Sequence, residues 1–329
     1  MNAAERRMDG EVMASGELRL KRLLPLEDRL RMALREDLGA AGDVTSQALV
    51  PERKKVVAEV LVKADGVLCG VNLLPLLFPI AAELVMPRAG NRRRPRRSDD
   101  WKAVRVAVLK ADGGRVRRGD IAATVEGEAR VLLAGERVAL NLLCRLSGIA
   151  TQAAQYVAKV AHTRAKIVDT RKTTPLWRDL EKYAVTCGGA ENHRRGLFDM
   201  ILIKDNHLAL WGAQDPAGAV HAAQKRFPGV PVQVEVVDLA GVLHVCRHSQ
   251  PEMILLDNFT PAVLREAVQW CKEFFASARG EKTRPLLEAS GNVNLDTVVE
   301  IAETGVDRIS VGALTHSVRG LDISLELRR

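Results

Sequence analysis

The stretch Met253-Ile254-Leu255-Leu256-Asp257-Asn258-Phe259-Thr260-Pro261 decides how this chain folds. A short apolar run ends in a carboxylate and an amide, and a proline then opens a helical pattern that reaches Phe275. An apolar run without polar alternation suits a strand buried on both faces, and proline suits the first turn of a helix. Strand followed directly by helix is the building unit of a parallel α/β sheet.

The same unit recurs on both sides. Short strands are expected at 167–168, 200–203, 232–236, 253–256, 286–287 and 309–311, with helical patterns between them, for example at 177–185, 261–275 and 295–302. Such alternation predicts an α/β fold, an incomplete (open) α/β barrel of about six parallel strands, since a closed barrel takes eight. A helix expected over 131–162 leads into it, with Leu140, Leu143, Cys144 and Ile149 on its apolar face.

Upstream the pattern is different. Leu26, Leu30, Ala33, Leu34 and Leu38 are spaced for a helix closed by Gly39. Strands are expected at 56–62, 104–109 and 121–125, with the turn Asp112-Gly113-Gly114 between the last two. Mixed strands and helices up to about residue 136 predict an α+β domain, and residues 1–24 read as a loosely ordered extension.

Length and composition set the outer bounds. A chain of 329 residues that is 47% hydrophobic forms one large or two ordinary domains and buries a sizeable core. Its five cysteines are scattered without a CxxC pair, which predicts a reduced, cytoplasmic chain with neither a zinc site nor a disulfide framework. The polar start Met1-Asn2-Ala3-Ala4-Glu5-Arg6-Arg7 lacks the apolar core of a signal peptide. Residues 67–86 are apolar enough to raise a membrane span, but Asn72, Pro75, Pro79 and Glu83 predict a buried helix-rich segment or a dimer contact, and no membrane. The net charge of +8 raises nucleic acid as a partner. Arg92, Arg93, Arg94, Arg96 and Arg97 alone supply five of those charges, and no aromatic residue lies among them for base stacking. The tract reads as a solvated insertion, and no nucleic-acid partner is expected.

Polar residues gather where the strands end: Asp169-Thr170-Arg171-Lys172, Lys204-Asp205-Asn206, Glu235, Asp257-Asn258, Ser290-Gly291-Asn292 and Gly312. In parallel barrels the C-terminal strand ends form one face, and the active site is built there. Arg171, Arg194 and Arg137 offer planar forks for carboxylates, whereas Lys172 and Lys204 are point charges shared between carboxylate and phosphate. The bland reading pairs these cations with Asp169, Glu181, Asp205 and Glu191. Their convergence favours a small polyanionic ligand, since buried ion pairs are costly to accumulate for stability alone. Glu235 and Asp257 suit magnesium, held directly or through water; a general acid/base pair and salt bridges to the lysines are the alternatives. Ser290-Gly291-Asn292 and Val311-Gly312-Ala313 are late loops able to approach an anion with backbone amides. His193 is either a donor to substrate or a satisfied core histidine, and His207 reads as structural at a helix start. Lys204 at a strand end also permits a Schiff-base lyase.

These residues carry a resemblance. Gly135-Glu136-Arg137-Val138-Ala139-Leu140-Asn141-Leu142-Leu143, Leu146-Ser147-Gly148-Ile149-Ala150-Thr151, Asp169 through Pro175, Glu181-Lys182-Tyr183-Ala184-Val185, Asn192-His193-Arg194 and Ile203 through His207 run in order. Ile254-Leu255-Leu256-Asp257-Asn258-Phe259, Glu288-Ala289-Ser290-Gly291-Asn292 and Ser310 through Ser317 follow. Over residues 25–327 the chain resembles the quinolinate phosphoribosyltransferases. Two departures stand out: Asn292 lies where many members carry a second glycine, and Val237-Asp238 follows Glu235 at a slightly unusual spacing.

The resemblance implies phosphoribosyl transfer from 5-phosphoribosyl-1-pyrophosphate to quinolinate with decarboxylation, giving nicotinate mononucleotide, pyrophosphate and carbon dioxide for NAD biosynthesis. A related non-decarboxylating paralogue is the near alternative. It implies that Thr170, Arg171, Lys172, His193, Arg194 and Lys204 hold the pyridine carboxylates and pyrophosphate, with Lys172, Lys204, Glu235 and Asp257 as the catalytic set. Glu235 and Asp257 would face ribose and Mg2+, while Ser290, Gly291, Asn292, Val311, Gly312 and Ala313 cradle the 5-phosphate. Arg137 would reach a neighbouring subunit's site, making a homodimer at least, or a hexamer. An N-terminal α/β sandwich over 25–136, interrupted by a basic insertion at 88–102, would be completed by a C-terminal strand within 317–329. The barrel would span 137–316.

Overall fold

The strand-then-helix unit at 253–275 is one of six that the computed structural model assembles into a single parallel sheet. The structure describes residues 25–86, 104–277 and 283–328. The expectations for the extension 1–24 and for the basic insertion 88–102 lie outside these residues.

The N-terminal part begins with α1 (Leu26–Leu38) and α2 (Val44–Leu49), followed by β1 (Lys55–Val62), the short β2 (Gly66–Val67) and α3 (Leu74–Val85). Next come β3 (Arg105–Val108), the short β4 (Arg115–Val116) and β5 (Ile121–Glu128). Along β1, Ala58, Val60 and Val62 are buried while the residues between them are not, the period-two pattern of a sheet with one covered face. In α3, Leu74, Leu77, Phe78 and Ala81 are buried in the core shared with α1 and β1. The apolar run at 67–86 is therefore a core helix and its approach, and no helix among the described residues is long and apolar enough to cross a membrane.

The helix expected over 131–162 is α4 (Ala129–Val160), and it serves two cores. Val131, Leu132, Val138 and Leu143 face the N-terminal core, whereas Leu146, Ile149, Ala153 and Tyr156 face the barrel. Gly148 sits where this helix meets the chain returning from the barrel. A methyl group there would lie 2.4 Å from the Arg319 carbonyl oxygen, so only glycine allows the approach.

Beyond α4 the chain alternates through β6 (Lys166–Val168), α5 (Arg178–Cys187), β7 (Ile201–Ile203), α6 (Asp205–Trp211), α7 (Pro216–Arg226), β8 (Val232–Val236), α8 (Leu239–His248), β9 (Met253–Asp257) and α9 (Pro261–Ser277). It continues through β10 (Leu286–Ser290), α10 (Val298–Ala302), β11 (Arg308–Ser310) and the short α11 (Ala313–His316). The last strand, β12 (Ile323–Leu327), returns to the first sheet, whose order is β12-β1-β5-β3, antiparallel throughout. The barrel sheet runs β6-β11-β10-β9-β8-β7, every pair parallel. Its two edges, β6 and β7, are not joined, so the barrel is open along that seam. Glu191 lies beside β6 there, its backbone bonded to Ile167 and Asp169.

One strand is longer than the sequence suggested. The expected 286–287 extends to Ser290, paired in parallel with β9 as far as Asp257, and Glu288 within it is fully buried. A charged residue inside a strand interrupts the apolar run that marks such strands in sequence.

Candidate active site

Parallel strands deliver their C-terminal ends to one rim, so sheet order sets the order of the site residues. From one edge to the other the rim carries Asp169–Lys172, then Gly312, Ser290–Asn292, Asp257–Asn258, Glu235 and Lys204. The segment carrying His193 and Arg194 precedes β7 and crosses the open seam, which brings Arg194 beside Arg171. Burial, followed by the charge of Arg171, pulls the Arg194 guanidinium below its ordinary range. Neither arginine has a salt bridge among the described residues, and the buried Nε of Arg171 has no hydrogen-bond partner. The Arg194 guanidinium donates to the Met200 carbonyl, at 3.1 Å. Two adjacent guanidiniums without a salt bridge among the described residues suit an anion, although the charge of Asp199 partly offsets that of Arg194.

The carboxylates around them are engaged elsewhere; Asp199 accepts from the Arg195 and Gly196 backbone N–H groups. Asp169 accepts from Lys182 Nζ at 2.6 Å and from the His193 backbone N–H at 2.7 Å. Burial lifts the Asp169 carboxyl and lowers the Lys182 ammonium, while each partner's charge opposes the shift of the other. Glu181 accepts from Arg145 Nε at 2.7 Å and from the Thr174 backbone at 3.2 Å. Both pairs brace the loop after β6 from beneath and leave its cations unneutralised. Asp205 accepts from the Asn206 backbone N–H, and Glu191 is exposed.

His193 spends both ring nitrogens on the protein. Nδ1 accepts from the Arg194 backbone N–H at 2.7 Å, which fixes the proton on Nε2, and Nε2 faces Gln233 Oε1 at 2.9 Å. The Glu288 carboxylate lies 3.3 Å from the same nitrogen, and the histidine side chain is only 7% exposed. Of the two roles open from sequence, this geometry is that of a satisfied core histidine setting the direction of Arg194. His207 accepts from the Lys204 backbone N–H at 3.0 Å through Nδ1, a structural contact at the start of α6.

On the far side of the rim, Lys204 Nζ lies 2.5 Å from Glu235 Oε2. Of the alternatives for Glu235, the structure displays the salt bridge to a lysine. An ammonium engaged in that way suits contact with an anion better than carbonyl attack, which needs an uncharged amine. Asp257 forms no salt bridge among the described residues and accepts from its neighbour Asn258 at 2.8 Å. No group of three or more metal-ligating side chains occurs among the described residues. Two carboxylates of hard oxygen donors fit a magnesium ion that keeps water and substrate phosphates as its other ligands.

Lys172 projects beside the last loop. A methyl group on Gly312 would lie 3.1 Å from Lys172 Cδ and 3.2 Å from the His316 ring, so glycine keeps this approach open. Thr315 Oγ1 donates to the Lys172 carbonyl at 2.7 Å, and the Val311 backbone N–H donates to the Val168 carbonyl. Thr170 Oγ1 accepts from the Lys172 backbone N–H at 3.1 Å and shapes the same turn. Ala313 opens the short α11.

Arg137 stands apart. It lies on α4 with its side chain 63% exposed, and its one salt bridge among the described residues is to neighbouring Glu136 at 3.8 Å. No hydrogen bond or salt bridge joins it to its own chain's rim among the described residues. A cavity of about 220 Å³ lies between α4 and the 174–181 segment, walled by Asn141, Arg145, Leu146, Thr174, Trp177 and Glu181 among others. None of the rim cations or carboxylates lines it; most of the rim residues are half-buried, with Lys172, Asn258 and Asn292 exposed.

Sequence reasoning missed Glu288, Gln233, Lys182 and Arg145, which support the rim from below, and His316, which flanks Gly312. Polar residues inside short strands were the available signal for Gln233 and Glu288, and both are fully buried.

Comparison with known proteins places the chain in a family. The family "Quinolinate phosphoribosyl transferase, C-terminal domain" matches residues 149–326, and the corresponding N-terminal domain matches residues 43–147. A Mycobacterium leprae protein named nicotinate-nucleotide pyrophosphorylase [carboxylating] is 41% identical over 91% of this chain and 96% of its own length. A rice chloroplastic protein of the same name is 37% identical over 91% of this chain and 76% of its own. The crystal structure of the Ehrlichia chaffeensis nicotinate-nucleotide pyrophosphorylase superposes with a TM-score of 0.78 at 32% identity, covering 93% of this chain and 99% of that one. The chain belongs to the quinolinate phosphoribosyltransferase family.

Proposed function

We propose that the rim joins quinolinate to 5-phosphoribosyl-1-pyrophosphate with loss of one carboxyl group, giving nicotinate mononucleotide, pyrophosphate and carbon dioxide. Family membership supports the reaction. The single observation that supports the placement is the Arg171–Arg194 pair, two forks without a salt bridge among the described residues and therefore suited to a dicarboxylate. Thr170 and His193 hold the backbone from which these forks project. Lys172 beside Gly312 and Lys204 beside Glu235 lie on either side of the rim, where pyrophosphate and carboxylate charge would meet. The loops Ser290-Gly291-Asn292 and Val311-Gly312-Ala313 would receive the 5-phosphate through backbone amides; the Val311 N–H is already given to the Val168 carbonyl and the Asn292 side chain to Asn258, so neither is one of its contacts.

Glu235 and Asp257 would accept from the ribose hydroxyls and hold Mg2+, directly or through water. When bound, the ion would offset the charge that develops on departing pyrophosphate. The lysines supply fixed positive charge to the same group, and it acts most strongly as that charge grows. The ring nitrogen of quinolinate is already a nucleophile, so the chain's main task is to hold it in line with the ribosyl carbon. No side-chain base is needed.

Arg137, exposed and unattached to its own rim, would complete the site of a neighbouring subunit in a homodimer at least, or a hexamer. Five cysteines without a disulfide support a cytoplasmic location. The reading is tested with carboxyl-labelled quinolinate, following carbon dioxide and nicotinate mononucleotide in one assay. The two products should form in equal amounts and only with phosphoribosyl pyrophosphate present. Turnover of nicotinate without turnover of quinolinate would support the non-decarboxylating alternative instead.

A further inference from the structure

Asn292 occupies a position where the family resemblance leads one to expect glycine. Its backbone is left-handed, with φ of 52°, a conformation that glycine and asparagine both adopt without large strain. Backbone geometry thus accounts for the absence of bulkier residues but not for the side chain that is there. That side chain has a partner on the neighbouring strand end. Asn292 Nδ2 donates to Asn258 Oδ1 at 3.2 Å, and Asn258 Nδ2 donates to Asp257 Oδ2 at 2.8 Å.

The direction of this chain of hydrogen bonds follows from its last member. A carboxylate only accepts, so Asn258 must present its NH2 to Asp257 and its carbonyl oxygen to Asn292, which must then donate. Asn258 is fixed in turn by its own backbone N–H, which donates to the Ser290 carbonyl at 2.8 Å, and by its left-handed φ of 57°. A methyl group on Gly291 would lie 2.1 Å from Asn258 Oδ1, so glycine there leaves room for the amide to cross between the loops. We infer that Asn292 is a positioning residue for Asp257: through Asn258 it holds Oδ2, so that Oδ1 faces the phosphoribosyl substrate in one orientation.

This inference rests on the proposed contact between Asp257 and the ribose. Asn292→Gly keeps the backbone conformation and removes the donor, while Asn292→Asp keeps the shape and turns the donor into an acceptor facing another acceptor. Each variant is compared with wild type in steady-state kinetics and in calorimetric binding of phosphoribosyl pyrophosphate with magnesium, without quinolinate. One lost neutral hydrogen bond is expected to weaken binding and raise KM for phosphoribosyl pyrophosphate by about three- to tenfold in Asn292→Gly. Asn292→Asp should lose more. KM for quinolinate and the melting temperature should stay at wild-type values in Asn292→Gly. A parallel Asp257→Asn variant separates the two layers. If that change leaves phosphoribosyl pyrophosphate binding intact, the reading of Asp257 fails, and the inference with it. If Asp257→Asn weakens binding while both Asn292 variants bind like wild type, the relay alone is overturned. A lower melting temperature with equal effects on both substrates would reduce Asn292 to a strut between loops and would also overturn it.

Discussion

Arg171 and Arg194 owe their chemistry to what is withheld from them. Asp169 and Glu181 are committed to Lys182 and Arg145, and Asp199 accepts from the Arg195 and Gly196 backbone, which leaves the two forks for a ligand. Arg171→Ala should raise KM for quinolinate about 10- to 100-fold, the value of one or two charge-assisted hydrogen bonds, and change KM for phosphoribosyl pyrophosphate little. Arg171→Lys should recover only part of the loss, because a point charge cannot replace the fork. Steady-state kinetics with each substrate varied in turn measures this; equal effects on both substrates would contradict the division of the rim. Lys182→Met leaves Asp169 buried without its counter-charge and should destabilise the fold by about 3–5 kcal/mol in denaturant unfolding. The rim cations were legible because they follow apolar runs, where a parallel barrel places its chemistry. Lys182 and Glu288 were not given roles, since sequence pattern assigns charged residues to solvent and nothing local marks them as inward-facing. His193 was half-legible, as its role depends on Gln233, forty residues away.

At the scale of elements, the six barrel strands were legible as apolar runs, and their ends were less so. Strand β10 continues through Glu288 to Ser290 because its parallel pairing with β9 runs on to Asp257, a tertiary partner that no local pattern reveals. Helix α4 was legible from its apolar face. That it divides its length between two cores was not, since both faces look alike until their partners are known. Gly148 reports the packing of this helix directly. Gly148→Ala would press a methyl group against the Arg319 carbonyl and the Gly320 Cα, both backbone atoms that move only if the return to β12 moves. A loss of about 1–3 kcal/mol is expected in thermal or denaturant unfolding. An unchanged midpoint would mean that this close approach is not maintained in solution.

For the whole molecule, the rim and Arg137 are separate features. The rim's cations and carboxylates stand apart from the cavity beside α4, and exposed Arg137 has no partner on its own rim among the described residues. On the reading proposed above, one chain supplies the ring of strand ends and another supplies Arg137. Mixing variants tests this most directly. Arg137→Ala and Lys204→Ala, each inactive or nearly so alone, are unfolded together in equal amounts, refolded, and assayed for nicotinate mononucleotide. If dimers reassort at random, half are mixed and each mixed dimer holds one intact site, so activity should return to about a quarter of wild type. Activity that stays at the level of the separate variants, with mixed dimers demonstrably formed, would show that Arg137 serves its own chain and would contradict the account.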